Sequence, residues 1–168
     1  IDFAAAYRER MLELGFSEKP AAEWDGKAPS FSAKILQPSP YADAFIARMH
    51  LLPGDTLLDV GCGPGTLALR LAPKVQRLYG LDYSSAMLRC LEANAQAAGL
   101  ANIIPIHLSK EDSWHNVPEC DIVVSSRSGL DRDLAALFAK LSAHARRSVY
   151  FTILADGHFN PPQISRLL

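Results

Sequence analysis

The chain has 168 residues, 49% of them hydrophobic, with 17 basic against 18 acidic side chains and a formal net charge of −1. A length of this order suits one domain burying roughly 70% of its unfolded surface, and the near-neutral charge argues against an extended nucleic-acid footprint. No run approaches the ~20 apolar residues of a membrane-spanning helix, and the scattered Cys62, Cys90 and Cys120 fit neither a disulfide framework nor a paired zinc motif, which favours a reduced, cytoplasmic compartment.

In chain order, Phe3, Tyr7, Met11 and Leu14 recur at spacings of three and four, so an amphipathic helix is predicted over 1–14. Residues 17–40 read as irregular, broken by Pro20, Pro29, Pro38 and Pro40, with Trp24 and Phe31 as aromatic landmarks. A helical pattern returns over 41–51 through Phe45, Ile46 and Met49 and closes at Pro53-Gly54. Thr56 to Val60 is a short apolar run ending in glycines, the pattern of a buried parallel strand. Next come a helix over about 64–72, a strand over 77–82, and a helix capped by Ser84 and closed near Gly99. Ile103 to Leu108 forms a third strand, placed at a sheet edge by Pro105, and a polar stretch over 109–118 follows it. A fourth strand over 121–125, a helix capped by Asp131 and carrying Leu134, Leu137, Phe138 and Leu141, and a fifth strand over 148–154 complete the series. This alternation predicts an α/β fold of three layers, α-β-α, with a doubly wound, mainly parallel sheet. Residues 1–55 would form a helical cap and 56–168 the α/β domain.

The first predicted strand runs straight into Gly61-Cys62-Gly63-Pro64-Gly65-Thr66. Glycines there permit a tight turn and close approach of a ligand to the backbone, and the start of a following helix offers unpaired N–H groups. Thr66 stands where a dinucleotide fingerprint needs Gly or Ala, which counts against a nicotinamide-dependent oxidoreductase. Asp82 ends the second strand, where a carboxylate accepts hydrogen bonds from both hydroxyls of a ribose, or else caps the next helix. Asp59, two residues before Gly61, either meets the ligand or holds the loop by bonding its amides.

The stretch Leu57 to Thr66, followed by Leu81-Asp82-Tyr83-Ser84-Ser85-Ala86-Met87-Leu88, resembles the first two motifs of class I S-adenosylmethionine-dependent methyltransferases. The resemblance extends from about Trp24 to Leu154 and implies S-adenosyl-L-methionine as cofactor, with S-adenosyl-L-homocysteine as product. It places Gly61, Cys62 and Gly63 at the methionine end of the cofactor. It places Asp82 at the ribose, Tyr83 beside ribose and adenine, and Met87 either near the adenine or simply in the core. Glu111-Asp112-Ser113-Trp114 stands where the family sets a polar side chain against the adenine amino group; Asp112 is the first choice, with Glu111 beside it. Trp114 is either a wall of the adenine slot or core.

After the fourth strand, Ser125-Ser126-Arg127-Ser128 replaces the signatures of enzymes that methylate amide or nucleobase nitrogens or cytosine carbon. Ser125 or Ser126 is expected beside the methionine portion of the cofactor. Arg127 is a candidate for binding a carboxylate or phosphate on the acceptor or cofactor, the alternative being a surface ion pair with Asp131 or Asp133.

No residue announces itself as catalytic. His115 and His158, on loops at the expected ligand edge, are the weak candidates for a general base, and no histidine spacing resembles a metal site. Trp24 and Phe31 would close over the cofactor and keep water from the sulfonium, or else pack helices onto the sheet. The expected partner is a small-molecule acceptor, with neither a membrane nor extensive nucleic-acid contact. A non-catalytic cofactor-binding module that regulates a partner is the alternative. The family's sheet is seven-stranded, whereas residues after Leu154 allow only a turn and about ten more positions. Either further residues or a second copy of the chain is therefore expected to cover the fifth strand.

Overall fold

The computed structural model describes residues 19–128 and 133–152, together with positions 2, 5, 6, 9, 12 and 13. Two helices, α1 (Ala21–Ser32) and α2 (Pro40–Ile46), precede β1 (Thr56–Val60). Then come α3 (Ala68–Leu71) with a 3₁₀ turn (Ala72–Lys74), β2 (Arg77–Asp82), α4 (Ser85–Ala97), β3 (Ile103–His107), β4 (Cys120–Ser126), α5 (Leu134–Ala143) and β5 (Ala145–Thr152). The strands lie in the order β3-β2-β1-β4-β5 and every neighbouring pair is parallel. The chain builds outward from β1 to β3, then returns to lay β4 against the other side of β1. This reversal opens a crevice between the carboxyl ends of β1 and β4.

Burial on both faces explains why β1 and β4 are apolar without alternation. Leu57, Ile122 and Val124 face a core shared with Ala42, Phe45, Leu71, Leu78 and Leu91, drawn from α2, α3, β2 and α4. Leu58, Val60 and Val123 face the opposite layer, with Leu81, Trp114, Leu137 and Leu141. The α-β-α layering and doubly wound parallel sheet are those the sequence predicts. Among the described residues no helix is long and apolar enough to cross a membrane.

The amino-terminal edge of the sheet is tied by charge. Asp121 accepts from the Thr56 amide (2.8 Å) and from Arg146 Nε (3.0 Å), while Arg146 Nη2 donates to Thr56 Oγ1 (2.9 Å). These bonds hold the Asp121 carboxyl well below the usual carboxylate range, the Arg146 contact contributing most. Asp55, 3% exposed, accepts from Arg147 Nη1 and Nη2 at 2.8 and 2.6 Å.

Several boundaries differ from the expectations. The irregular stretch 17–40 contains α1, despite Gly26 and Pro29. Local propensity is outweighed there by contacts with α4: Asp25 Oδ1 accepts from Ser84 Oγ (2.6 Å) and the Ala86 amide (3.1 Å), and Ser32 pairs with Asn94. The helix expected over 64–72 shrinks to Ala68–Leu71, because Gly65 at φ +102° breaks helical geometry after the loop. Helix α2 ends at Ile46, β4 reaches Cys120 and Ser126, and β5 starts three residues early, at Ala145. Helix α5 is capped by Asp133, whose Oδ1 accepts from the Ala136 amide at 3.0 Å; Asp131 lies outside the described residues. So do residues 153–168, and with them the expectation about cover for the fifth strand.

Removing Arg147 leaves Asp55 buried without its counter-charge. Arg147→Ala is expected to lower unfolding free energy by about 2–3 kcal/mol in urea at pH 7, against a smaller loss for Arg146→Ala, whose side chain is more exposed.

Candidate functional site

At the carboxyl ends of β1, β2 and β4 lies a cavity of about 230 Å³. It is lined by the buried Asp59, Cys62 and Asp82 with the rest of the Gly61–Gly63 loop, by Trp24 and Phe31 from α1, by Tyr41 from α2 together with residues 126–128, and by Leu108 and Lys110. The loop turns through left-handed backbone at Gly61 (φ +74°) and Gly63 (φ +53°). A Cβ at Gly61 would collide with that of Ser128, so only glycine lets the loop after β4 come this close. At Gly63 a Cβ would meet nothing within 4 Å, leaving space above the loop for a ligand.

Asp82 organises the buried part of this lining. Its Oδ2 accepts from the Gly63 amide and its Oδ1 from the Ser84 amide, both at 2.9 Å. Ser84 then caps α4, its Oγ accepting from the Met87 amide at 3.1 Å. The carboxylate therefore braces the glycine loop and caps the turn into α4, while its remaining lone pairs stay available to a ligand. Burial raises its pKa, an effect opposed by the amide bonds from Ser84 and Gly63.

Asp59 is different. It is 2% exposed, and its Oδ2 has no hydrogen-bond partner. The loop amides of Gly61 and Cys62 donate instead to the Leu81 carbonyl, at 2.7 and 3.1 Å. Burial, then the neighbouring charge of Asp82, push the Asp59 carboxyl up to about 7. The Cys62 thiol, also buried, is pushed up for the same leading reason. An orphaned buried carboxylate oxygen attracts a cation or N–H donor from a ligand. S-Adenosylmethionine carries an ammonium, a sulfonium and a ribose diol, so two carboxylates lining one cavity are chemically compatible with that cofactor.

The structure brings Phe31, Asp59, Gly61, Cys62, Gly63, Asp82, Tyr83, Met87, Ser126 and Arg127 to this one cavity. Phe31 is 46% exposed and meets Trp24 edge to face, with ring centroids 6.3 Å apart. Tyr83 donates to the Lys19 carbonyl at 2.8 Å, which ties the start of α1 to the end of β2. Other candidate positions lie outside the cavity wall. Glu111 and Asp112 are exposed and outside the cavity wall, because Asp112 Oδ2 closes its own turn on the Ser109 amide at 2.8 Å. Ser125 is fully buried behind the wall, its hydroxyl 2.9 Å from that of Ser128. Trp114 is core, bonded to the Ser109 carbonyl and packed on His144. His115 is exposed away from the cavity beside Ser113, and His158 lies outside the described residues.

Sequence reasoning missed Ser39, Tyr41, Lys110 and Ser128 as wall residues. Ser39-Pro40 signals a helix start, and Ser39 Oγ does accept from the Ala42 amide, but nothing in the sequence shows that α2 presents Tyr41 to the end of β4.

The methyltransferase-domain family profile matches residues 57–148. An uncharacterized protein of Haemophilus influenzae is 36% identical over 160 residues, which is 95% of this chain and 60% of that protein. An uncharacterized RNA methyltransferase of Enterococcus faecalis is 31% identical over 113 residues, 64% of this chain and 24% of the relative. Among solved structures, the precorrin 8w decarboxylase of Methanobacterium thermoautotrophicum superposes with a TM-score of 0.56 at 28% identity, covering 70% of this chain and 67% of that one. The chain thus spans about 60% of the length of its Haemophilus relative.

The raised Asp59 pKa sets a pH dependence of stability. The folded protein holds this proton to about pH 7, whereas the unfolded chain releases it near about pH 4. The stability Asp59 contributes is therefore greatest below pH 4 and declines as pH rises through 7. Asp59→Asn is expected to flatten that decline and to raise the melting temperature at pH 8 by several degrees, the gain shrinking steadily as pH falls to 4. Parallel melting curves for the two proteins across pH 4–8 would contradict it.

Proposed function

Because the chain belongs to the methyltransferase-domain family, the class I S-adenosylmethionine-dependent enzymes, we propose that it binds this cofactor across the carboxyl ends of β1, β2 and β4 and methylates a small-molecule acceptor. The observation that carries the reading is the buried lining of the cavity, where an unpartnered carboxylate oxygen on Asp59 adjoins the braced carboxylate of Asp82. When bound, the cofactor supplies an electrophilic methyl group, so the protein needs no nucleophile of its own.

Asp82 accepts from the ribose hydroxyls, the Gly61–Gly63 loop lets the cofactor lie close to the backbone, and Asp59 faces its positive end. Met87, 3% exposed on the wall, gives apolar contact, with Tyr83 beside it. Helices α1 and α2 act as the cap. Trp24 and Phe31 exclude water from the reacting atoms, and exclusion of water strengthens the attraction of both carboxylates for a cation. Holding acceptor and methyl in line is the main catalytic task, an effect that supplies up to ~7–11 kcal/mol in well-oriented reactions. A small acceptor is favoured over RNA by the net charge of −1, which offers no broad field for a phosphate backbone.

Calorimetric titration with S-adenosylmethionine, S-adenosylhomocysteine and NAD tests the cofactor, and transfer of labelled methyl groups to a metabolite panel and to bulk RNA tests the acceptor class. Both sulfur compounds should bind and NAD should not. Asp82→Ala should weaken S-adenosylhomocysteine by about 2–5 kcal/mol. Unchanged affinity in that variant would remove the ribose assignment. Binding without transfer would favour the non-catalytic module, and transfer to RNA alone would overturn the small acceptor.

A further inference from the structure

Arg127 follows β4 in left-handed backbone, φ +53°, a conformation that a non-glycine residue rarely adopts and that gathers at ligand clamps. Its amide still donates to the Thr152 carbonyl at 3.3 Å, which extends the β4–β5 ladder by one residue and fixes where the side chain leaves the sheet. The guanidinium lies over the ring of Tyr41, 4.1 Å from its centroid. Tyr41 is itself immobilised, its hydroxyl 2.6 Å from both Ser126 Oγ and Thr152 Oγ1. Of the two alternative partners, Asp133 has Oδ1 engaged in capping α5 and Asp131 lies outside the described residues; among the described residues no carboxylate forms an ion pair with Arg127.

A guanidinium with one face against an aromatic ring keeps its edge N–H donors free, in a fork that matches a carboxylate. The charges of the cavity are also sorted. The carboxylates Asp59 and Asp82 are buried at β1 and β2, whereas Lys110 and Arg127 stand on the loops after β3 and β4. Asp82 and Arg127 are separated by the width of β1, a spacing of ~10 Å between the flanking strands. Arg127 is exposed and lines the same cavity as the buried carboxylates, so its donors are accessible to a ligand there.

We propose that Arg127, held on the face of Tyr41, is the carboxylate-binding fork for the methyl acceptor, which is therefore a small organic acid. The assignment rests on the cofactor reading above and adds the acceptor's chemical class. Tyr41 is a positioning residue and does not itself contact the reacting atoms.

The test uses the full chain saturated with S-adenosylhomocysteine and titrated with a matched pair of probes, 4-hydroxybenzoate and 4-hydroxybenzamide. Wild type is compared with Arg127→Lys and Arg127→Gly; glycine accepts the left-handed backbone, so the second variant removes the side chain without adding strain. The acid should bind wild type at least tenfold more tightly than the amide. That preference should vanish in Arg127→Gly and survive only in part in Arg127→Lys, with S-adenosylhomocysteine affinity within twofold in all three proteins. Equal affinity for acid and amide, no binding of the acid, or a preference that survives Arg127→Gly would overturn the proposal. So would a tenfold loss of S-adenosylhomocysteine affinity in Arg127→Gly, which would give the fork to the cofactor's own carboxylate. Failure of S-adenosylhomocysteine to bind wild type would instead refute the cofactor reading on which the proposal stands.

Discussion

Two interacting carboxylates near the carboxyl ends of adjacent parallel strands are costly to bury, and the site is built around that cost. Asp82 is stabilised by two backbone amides, and those bonds shape the surrounding chain: one sets the glycine loop, the other sets the turn into α4. The Ser84 hydroxyl at that turn also donates to Asp25, which latches α1 beside the cavity. One side chain thus positions the glycine loop, the start of α4 and part of the cap. Asp59 has no such compensation for Oδ2, and burial, then the charge of Asp82, raises its pKa.

The two edges of the sheet handle charge in opposite ways. At the amino-terminal edge, Asp55 with Arg147 and Asp121 with Arg146 and Thr56 form closed sets within the chain. At the carboxyl edge, Asp59 Oδ2 lacks a partner, and Arg127 rests on an aromatic face with no carboxylate paired to it among the described residues. Satisfied charges contribute stability; unsatisfied ones retain attraction for a ligand. The open α/β topology decides which edge is which, because the reversal between β1 and β4 opens the crevice only at the carboxyl ends.

The alternating elements and the edge position of β3 are readable, from apolar runs at β1 and β4 and from Pro105 in β3. The glycine loop and Asp82 are equally legible, since backbone geometry there demands particular residue types. What escaped reading depends on contacts distant in sequence. Helix α1 contains Gly26 and Pro29 and is held by α4, about 60 residues later, which no local pattern encodes. Asp112 has the right chemistry for an adenine amine, but a carboxylate three residues after Ser109 closes a local turn more readily than it reaches a cavity. Tyr41 looks like an ordinary apolar residue on a short helix; only the pairing of β4 with β5 brings the hydroxyls of Ser126 and Thr152 to it.

Asp59 is buried with one carboxylate oxygen unpartnered, and we propose that it meets the positive end of the cofactor. Its carboxyl carbon can be followed by ¹³C NMR from pH 4 to 9, in the free protein and with saturating S-adenosylhomocysteine, whose ammonium is positive over most of that range. The account predicts titration near 7 in the free protein and a midpoint lower by a unit or more with the ligand bound. A free-protein midpoint near about 4, or one that the ligand leaves in place, would contradict it.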